Sequence, residues 1–401
     1  MRLLKNAQIS LMVLCLLTPV LNAQTVRLRL ANPTATPRSG EPVVVEWKLL
    51  TPYVGSADRE KLRLVDEHDR SLPFQLDDLN GDGTIDEMAF QIDLPAKGTR
   101  TFVLTASMDS LASPIGPLQT DAEDYKRVNG KAQFVDDDDG PGTLRNQNLY
   151  PFDGVGWESE LIGYRLYLDE RNSIDIQGKR IPGLQWKFIG SSGVDYQNDA
   201  YWGMDVLHVG PALGVGGFSF WVNDSICHPY KVERRRTRII ARGPVRAVVR
   251  VDYDGWDLGG EKADVTSLLM IYAGDRVTEH RLLLRSGSSK TVAAGIVRHA
   301  PAHMAWDPKR GILSSVGPQS RAGDGLLMAL TVVPSTVTRK TRDKSQELLL
   351  LRLEPGVPLR YLISAYWQGE TGRMWTNKEI QKFFNKTITR LNQAILVTVE
   401  P

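Results

Sequence analysis

Strand periodicity constrains this chain more than any other feature. Between Ile162 and Asp169, the apolar Ile162, Tyr164, Leu166 and Leu168 alternate with Gly163, Arg165, Tyr167 and Asp169. Successive side chains leave a strand on opposite sides, so only a strand lets such a segment bury its apolar half. The other half presents a guanidinium, a phenol and a carboxylate in consecutive outward positions, the lining expected of a sugar-binding groove. The same period returns in GPVRAVVRVDYDGW, where Val245, Ala247, Val249 and Val251 alternate with Arg246, Val248, Arg250 and Asp252. TSLLMIYAG, RVTEHRLLLRSG, GLLMALTVVP, LLLLRLEPG and RYLISAYW follow, joined by turn residues rather than crossover helices. Strands in that number and order predict an all-β chain built as a large antiparallel, double-layered sandwich. One stretch has the helical period instead: Ile380, Phe383, Phe384, Ile388 and Leu391 form a stripe between Asn377 and Leu391, which predicts a helix packed on a sheet face.

Upstream, VRLRLAN, PVVVEWKLL, KLRLVDE, MAFQIDLP and RTFVLTA are short runs separated by Gly, Pro, Asp and Ser, the spacing of a small immunoglobulin-like β-domain. The expected division is an N-terminal domain over 24–110, linker and loops over 111–150, and the large domain over 151–401. Basic and acidic residues nearly cancel, leaving a net charge of +2, so no global field would recruit nucleic acid or an anionic membrane. Residues 1–23 read as a cleavable signal peptide: Arg2 and Lys5 precede the apolar run Ile9 to Leu17, and Leu21-Asn22-Ala23 is a processing site. That run is well short of the ~20 residues needed to cross a bilayer, which argues against a membrane anchor and for a periplasmic or secreted protein. Cleavage would leave Cys227 as the remaining cysteine, excluding an intrachain disulfide and a multi-cysteine metal site.

Several constellations carry candidate chemistry. Asp78, Asn80, Asp82 and Asp86, with Gly83 at the sixth position of DLNGDGTIDE, match the front of a calcium loop. Position twelve is Ala89, however, and the loop sits between strands, so an acidic hairpin turn accounts for the same residues. Asp136 to Asp139 could hold a second cation, or could be a solvated charged loop. Arg234, Arg236 and Arg238 would share one strand face, either to hold carboxylates or sulfates or as a solvated edge. His208 and His280 lie in segments where an imidazole could act as acid or base, and each could equally be structural. The aromatic residues Trp157, Tyr167, Trp186, Tyr196, Tyr201 and Trp202 cluster in the polar segments, as carbohydrate recognition and core packing both require. GxSxG, GxGxxG and phosphate-loop motifs are missing from any supporting context, which disfavours serine-hydrolase and nucleotide chemistry.

The stretches WESELIGYRLYLD, DIQGK, YWGMDVLHVG, ARGPVRAVVRV and AAGIVRH, the last ending at His299, resemble the secreted bacterial family known as domain of unknown function 4861, from about Val135 to the C-terminus. The resemblance implies a supersandwich similar to mutarotase-like and polysaccharide-lyase domains. It also implies a place among proteins that degrade acidic plant or algal polysaccharides, with lyase or sugar-dehydratase chemistry. One departure is Asp195-Tyr196-Gln197, where family members often have a histidine after the Asp-Tyr pair.

On this basis the expected function is elimination from an acidic, uronate-containing oligosaccharide. Such a reaction needs a group to neutralise the carboxylate, a base for the carbon-bound proton and an acid for the leaving oxygen. Arg165 and Arg236 are the candidates for the carboxylate and His208 and Tyr167 for base and acid, while Glu158, Asp205 and Trp202 orient the groove. A non-catalytic glycan-binding protein and a glycoside hydrolase using Glu158 and Asp205 are the alternatives.

Overall fold

Alternation along the chain becomes alternation across sheets. In the computed structural model, which describes residues 25–55, 59–106, 117–142, 145, 148–192 and 196–401, the strand Arg246–Asp257 turns Ala247, Val249, Val251 and Tyr253 into the main core. It turns Arg246, Arg250 and Asp252 the other way. The expected signal peptide and Asp195 lie outside the described residues.

Arg246–Asp257 is the third strand of a nine-stranded sheet, which runs in space from Asp137–Pro141 through Arg234–Ala241, Arg246–Asp257, Lys262–Tyr272, Val277–Leu284, Leu359–Trp367, Gly325–Val332 and Ile312–Pro318 to His303–Asp307. A six-stranded sheet and a five-stranded sheet form the opposing layer. The first has the order Gly203–Asp205, Ile174–Lys179, Ile162–Tyr167, Gly154–Ser159, Thr120–Val128 and Lys131–Phe134. The second contains Val215–Val222, Lys290–Val297 and Gln346–Leu353 at its centre. One apolar core fills the space between layers, taking Trp157, Tyr164 and Ile176 from the six-stranded sheet, Phe218 and Val292 from the five-stranded sheet, and Leu269 and Ile363 from the nine-stranded sheet. The chain is therefore an all-β antiparallel sandwich, as its periodicity requires.

The two smaller sheets meet where the backbone at Gly214 bridges Ile174. Gly214 has φ 71°, and a Cβ there would stand 2.0 Å from the Ile174 carbonyl oxygen. Only glycine tolerates both conditions, which accounts for one glycine of the GPALGVGG run.

The N-terminal domain is a smaller sandwich with Val26, Leu28, Leu30, Phe90, Phe102 and Leu104 between its sheets. Its first strand, Thr25–Ala31, is flanked by Thr99–Ala106 on one side and by the chain's last strand, Leu396–Glu400, on the other. The C-terminus thus completes the N-terminal domain, a departure from the expected division. A short strand after a helix does not declare which sheet it will join.

The expected linker over 111–150 is also corrected. Thr120–Val128 and Lys131–Phe134 extend the six-stranded sheet, and the aspartate run is the edge strand Asp137–Pro141, antiparallel to Arg234–Ala241. Each charge run explains the other: Arg236 Nε donates to Asp137 Oδ1 at 2.8 Å and Arg234 Nε to Asp139 Oδ1 at 2.7 Å. Cross-strand opposite charges replace both the solvated loop and the cation site.

The outward face of the nine-stranded sheet is where the N-terminal domain docks. Arg246, fully buried, donates Nε to Asp77 at 2.7 Å, Nη2 to Glu87 at 3.0 Å and Nη1 to the Tyr272 hydroxyl at 3.2 Å. Gln75 accepts from the backbone N–H groups of Val245 and Arg246. The helix Asn377–Asn392 begins with a capping box between Thr376 and Glu379 and lays Ile380 and Phe384 on Leu327, Ala329 and Tyr366. Among the described residues, no helix is long and apolar enough to cross a membrane.

Candidate functional site

Register on the six-stranded sheet aligns its polar residues. With Trp157, Tyr164 and Ile176 turned into the core, the opposite face carries one row of Asp121, Glu158, Gly163, Gln177 and Asp205, and a second row of Glu123, Gly156, Arg165 and Asp175. Polar residues on a free sheet face would be wet. Here Glu158, Arg165, Asp175, Gln177 and Asp205 are all buried, because residues 181–192 and 196–202 fold over them.

The sequence builds that cover locally. Glu158 accepts the backbone N–H groups of Gln185 at 2.7 Å and Trp186 at 2.8 Å, satisfying donors at the start of the short helix Trp186–Ser192. The Trp186 indole lies on the sheet where there are no side chains: a Cβ at Gly156 would stand 2.6 Å from its ring carbons. Lys179 Nζ neutralises Glu158 at 2.5 Å and donates to the carbonyls of Ser159 at 2.5 Å and Gly183 at 2.6 Å. Trp202 packs into an apolar cluster with Tyr125, Phe152 and Trp186.

The chemistry centres on Arg165. Its Nη2 donates to Asp175 Oδ2 at 2.6 Å and to the Tyr167 hydroxyl, and Nη1 donates to the Tyr196 hydroxyl at 2.9 Å. The Tyr167 ring is held between two guanidiniums, with Arg165 4.1 Å and Arg171 4.3 Å from its centroid. Burial, followed by the charge of Asp175, pushes the Tyr167 phenol well above its ordinary range, so it stays protonated, donates to Asp175 Oδ2 at 3.2 Å and is not a base.

Asp205 sits at the edge, its Oδ2 4.0 Å from Arg165 Nη2 and 3.4 Å from Nη1 of the partly exposed Arg321. Burial, then the neighbouring Asp175, pushes the Asp205 carboxyl up to about 8. A buried acid that keeps its proton at neutral pH beside a solvent-reaching guanidinium can transfer that proton or donate a strong hydrogen bond. Three residues further on, His208 is exposed and stands beside His299. Burial and His208 lower the His299 imidazole, whose Nε2 has no hydrogen-bond partner among the described residues.

The fold gathers Arg165, Tyr167 and Asp205 into one cluster, with His208 on the loop leaving it. Three other expected site residues need correction. Glu158 is saturated by Lys179 and two backbone donors, so it anchors the cover and cannot face Asp205 as a second hydrolytic carboxylate. Trp202 is core to the cover, only 4% exposed, and offers no ring face to a groove. Arg236 belongs to the other layer, paired with Asp137, and cannot join Arg165 on one substrate group.

The acidic hairpin is also closed in on itself. Asp78 accepts the N–H groups of Gly81 and Gly83, Asp82 that of Thr84, Asn80 that of Asp82, and Asp86 that of Leu79. Arg238 and Arg250 donate to the carbonyls of Asn80 and Leu79 at 2.7 and 2.9 Å. Two guanidiniums bound to the loop's carbonyls disfavour a cation there, so the turn reading replaces the calcium reading. Among the described residues, no group of three or more His, Cys, Asp or Glu comes together in a form that could hold a metal ion. His280 is fully buried between Ser267 and Tyr361, and burial lowers it to about 3, so it is a neutral core residue.

Sequence reasoning missed Asp175, Gln177 and Arg321. Asp175 and Gln177 had a signal, since they alternate with Ile176 and Gly178 in DIQGK; Arg321 lies in a loop with no periodicity at all. Open clefts lie elsewhere, such as an interdomain cavity of about 210 Å³ in which Arg281 and Arg360 both donate to Glu279.

Comparison with known proteins places these features in context. No curated protein matches the sequence. Among solved structures, a protein in the glycosyl hydrolase family 38 from Enterococcus faecalis is similar with a TM-score of 0.45 at 9% identity, over 94% of this chain and 48% of that one. An alpha-mannosidase from Enterococcus faecalis V583 is similar with a TM-score of 0.44 at 9% identity, over 94% of this chain and 46% of that one. The chain spans about half the length of these solved chains. Residues 30–397 match the family described as Domain of unknown function (DUF4861), and the chain belongs to that family.

Proposed function

We propose that this protein is a periplasmic or secreted carbohydrate-active enzyme that acts on acidic oligosaccharides by elimination. The observation that carries the reading is Asp205, a buried carboxyl pushed up to about 8 and flanked by a guanidinium that reaches solvent. In this reading Arg321 takes the place first given to Arg236 and neutralises the substrate carboxylate. His208 accepts the proton from the carbon next to that carboxylate, and the C–H electron pair becomes a carbon–carbon double bond as the neighbouring C–O bond breaks. The leaving oxygen takes its proton from Asp205, and the two proton carriers re-equilibrate through water. Arg165 touches no substrate: with Asp175 it positions Asp205 and Tyr167.

The test is to mix purified protein with pectin, rhamnogalacturonan and ulvan oligosaccharides, following ultraviolet absorbance of the unsaturated product and product masses. Elimination gives rising absorbance and product masses that sum to the substrate mass, and both are lost in Asp205→Asn and His208→Ala. Products heavier by one water would instead support a hydrolase, with Asp175 in the role first given to Glu158. Saturable binding without products would leave a glycan-binding protein.

A further inference from the structure

The polar row described above has one gap. On one side of Gln177, Lys179 and Glu158 satisfy each other; on the other, Arg165 and Asp175 do the same. Gln177 is 1% exposed, and among the described residues neither its amide oxygen nor its amide nitrogen has a hydrogen-bond partner. Nε of Arg165, one row away on the same face, is unpartnered as well. Each such buried group costs ~1–3 kcal/mol when left unmade, so a native fold keeps one for a reason.

We propose that Gln177 is a specificity-determining residue that binds ring hydroxyls of an acidic sugar beside Asp205. The inference rests on the functional reading above and names which part of the substrate the floor of the site holds. A primary amide offers two donors and a carbonyl acceptor, matching adjacent hydroxyls on a sugar ring, each of which can donate and accept. The position fits. Gln177 pairs in register with Asp205, and Asp205 leads to Arg321 and solvent, so amide, proton-bearing carboxyl and guanidinium form a file from the interior to the surface. On the other flank stands Gly163, where a Cβ would lie 3.1 Å from the Gln177 Cβ and 3.0 Å from the Trp186 indole nitrogen. Glycine there leaves the amide bounded by the edge of a buried indole instead of another strand side chain.

The experiment is calorimetric titration with methyl galacturonoside, methyl glucuronoside and each of their monodeoxy analogues, on wild type, Gln177→Met and Asp205→Asn, with a melting curve for each protein. Two neutral hydrogen bonds are worth about tenfold in affinity. Each monodeoxy analogue lacks one ring hydroxyl, so wild type should discriminate against one or two of the analogues by about threefold each. Gln177→Met should lose about tenfold for the parent sugar, bind those analogues as weakly as the parent, and melt no lower than wild type, because it removes an unpartnered amide. Unchanged affinities in Gln177→Met overturn the assignment, as does failure of wild type to bind either parent sugar. A lower melting temperature together with lost binding also overturns it, since ordered water would then hold the amide as part of the fold. The measurement needs no turnover. Discrimination that persists in a protein forming no unsaturated product sinks the elimination reading and leaves the subsite standing; turnover without discrimination does the reverse.

Discussion

Replacing Asp205 by asparagine separates the charge of this residue from its shape. The amide keeps an acceptor for the Leu207 N–H, which Asp205 Oδ1 receives at 3.1 Å, but it cannot ionise. In the native protein the carboxyl is pushed from 3.8 up to about 8, and its side chain is 3% exposed, so solvent does little to screen the effect. Between those two pH values the folded chain holds a proton that the unfolded chain has released. Stability contributed by the protonated form is therefore full below about pH 4 and is lost as pH rises to about 8, at about 1.4 kcal/mol per pH unit. Asparagine removes that slope. Urea unfolding of wild type and Asp205→Asn at intervals between about pH 5 and about pH 8 should show the variant gaining on wild type by about 4 kcal/mol across the range. Catalysis gives an independent reading: kcat/KM for any reaction using the protonated carboxyl should fall on the alkaline side with a midpoint near 8. Two stability profiles that stay parallel would refute the reasoning, because Asp205 would then ionise in the folded protein as it does in the unfolded chain.

Two further substitutions probe what holds the site and the domains. Lys179→Met strands the Glu158 carboxylate in a buried position and should cost about 3–5 kcal/mol, read by chemical denaturation; Glu158→Gln in the same chain should recover most of it, and a loss below about 1 kcal/mol would show that the pair does not anchor the cover. Arg246→Met leaves Asp77 and Glu87 facing each other between the domains and should cost a similar amount, about 3–5 kcal/mol. Calorimetry should then resolve separate melting of the two domains, and one unshifted transition would contradict the interface described here.

Much of the fold was legible because strand periodicity is a local property. The alternation in Arg246–Asp257 and Ile162–Tyr167 gave both strand and buried face, and the stripe from Ile380 to Leu391 gave the helix. Pairing partners were harder to read. Leu396–Glu400 has the same alternating character wherever it lies, and only the folded chain shows that Thr25–Ala31 is beside it. The aspartate run from Asp136 and the arginine run from Arg234 each suggested a solvated segment when taken alone, because composition does not reveal that two segments about a hundred residues apart in sequence are neighbours.

The same limit governs the site. Arg165 and Arg246 look equivalent in sequence, each the charged member of an alternating strand, and each polar face ends up covered. What covers it decides its role. Over the nine-stranded sheet the N-terminal domain supplies Asp77 and Glu87, and every nitrogen of the Arg246 guanidinium is engaged, which is the condition of a docking face. Over the six-stranded sheet the described residues of the cover supply Tyr196 to Arg165 but nothing to Arg165 Nε or to either end of the Gln177 amide. Asp205 holds its proton between the charge of Asp175 and the partly exposed Arg321. The two faces thus differ in how many bonds their covers complete, and no alternation of apolar and polar letters carries that count.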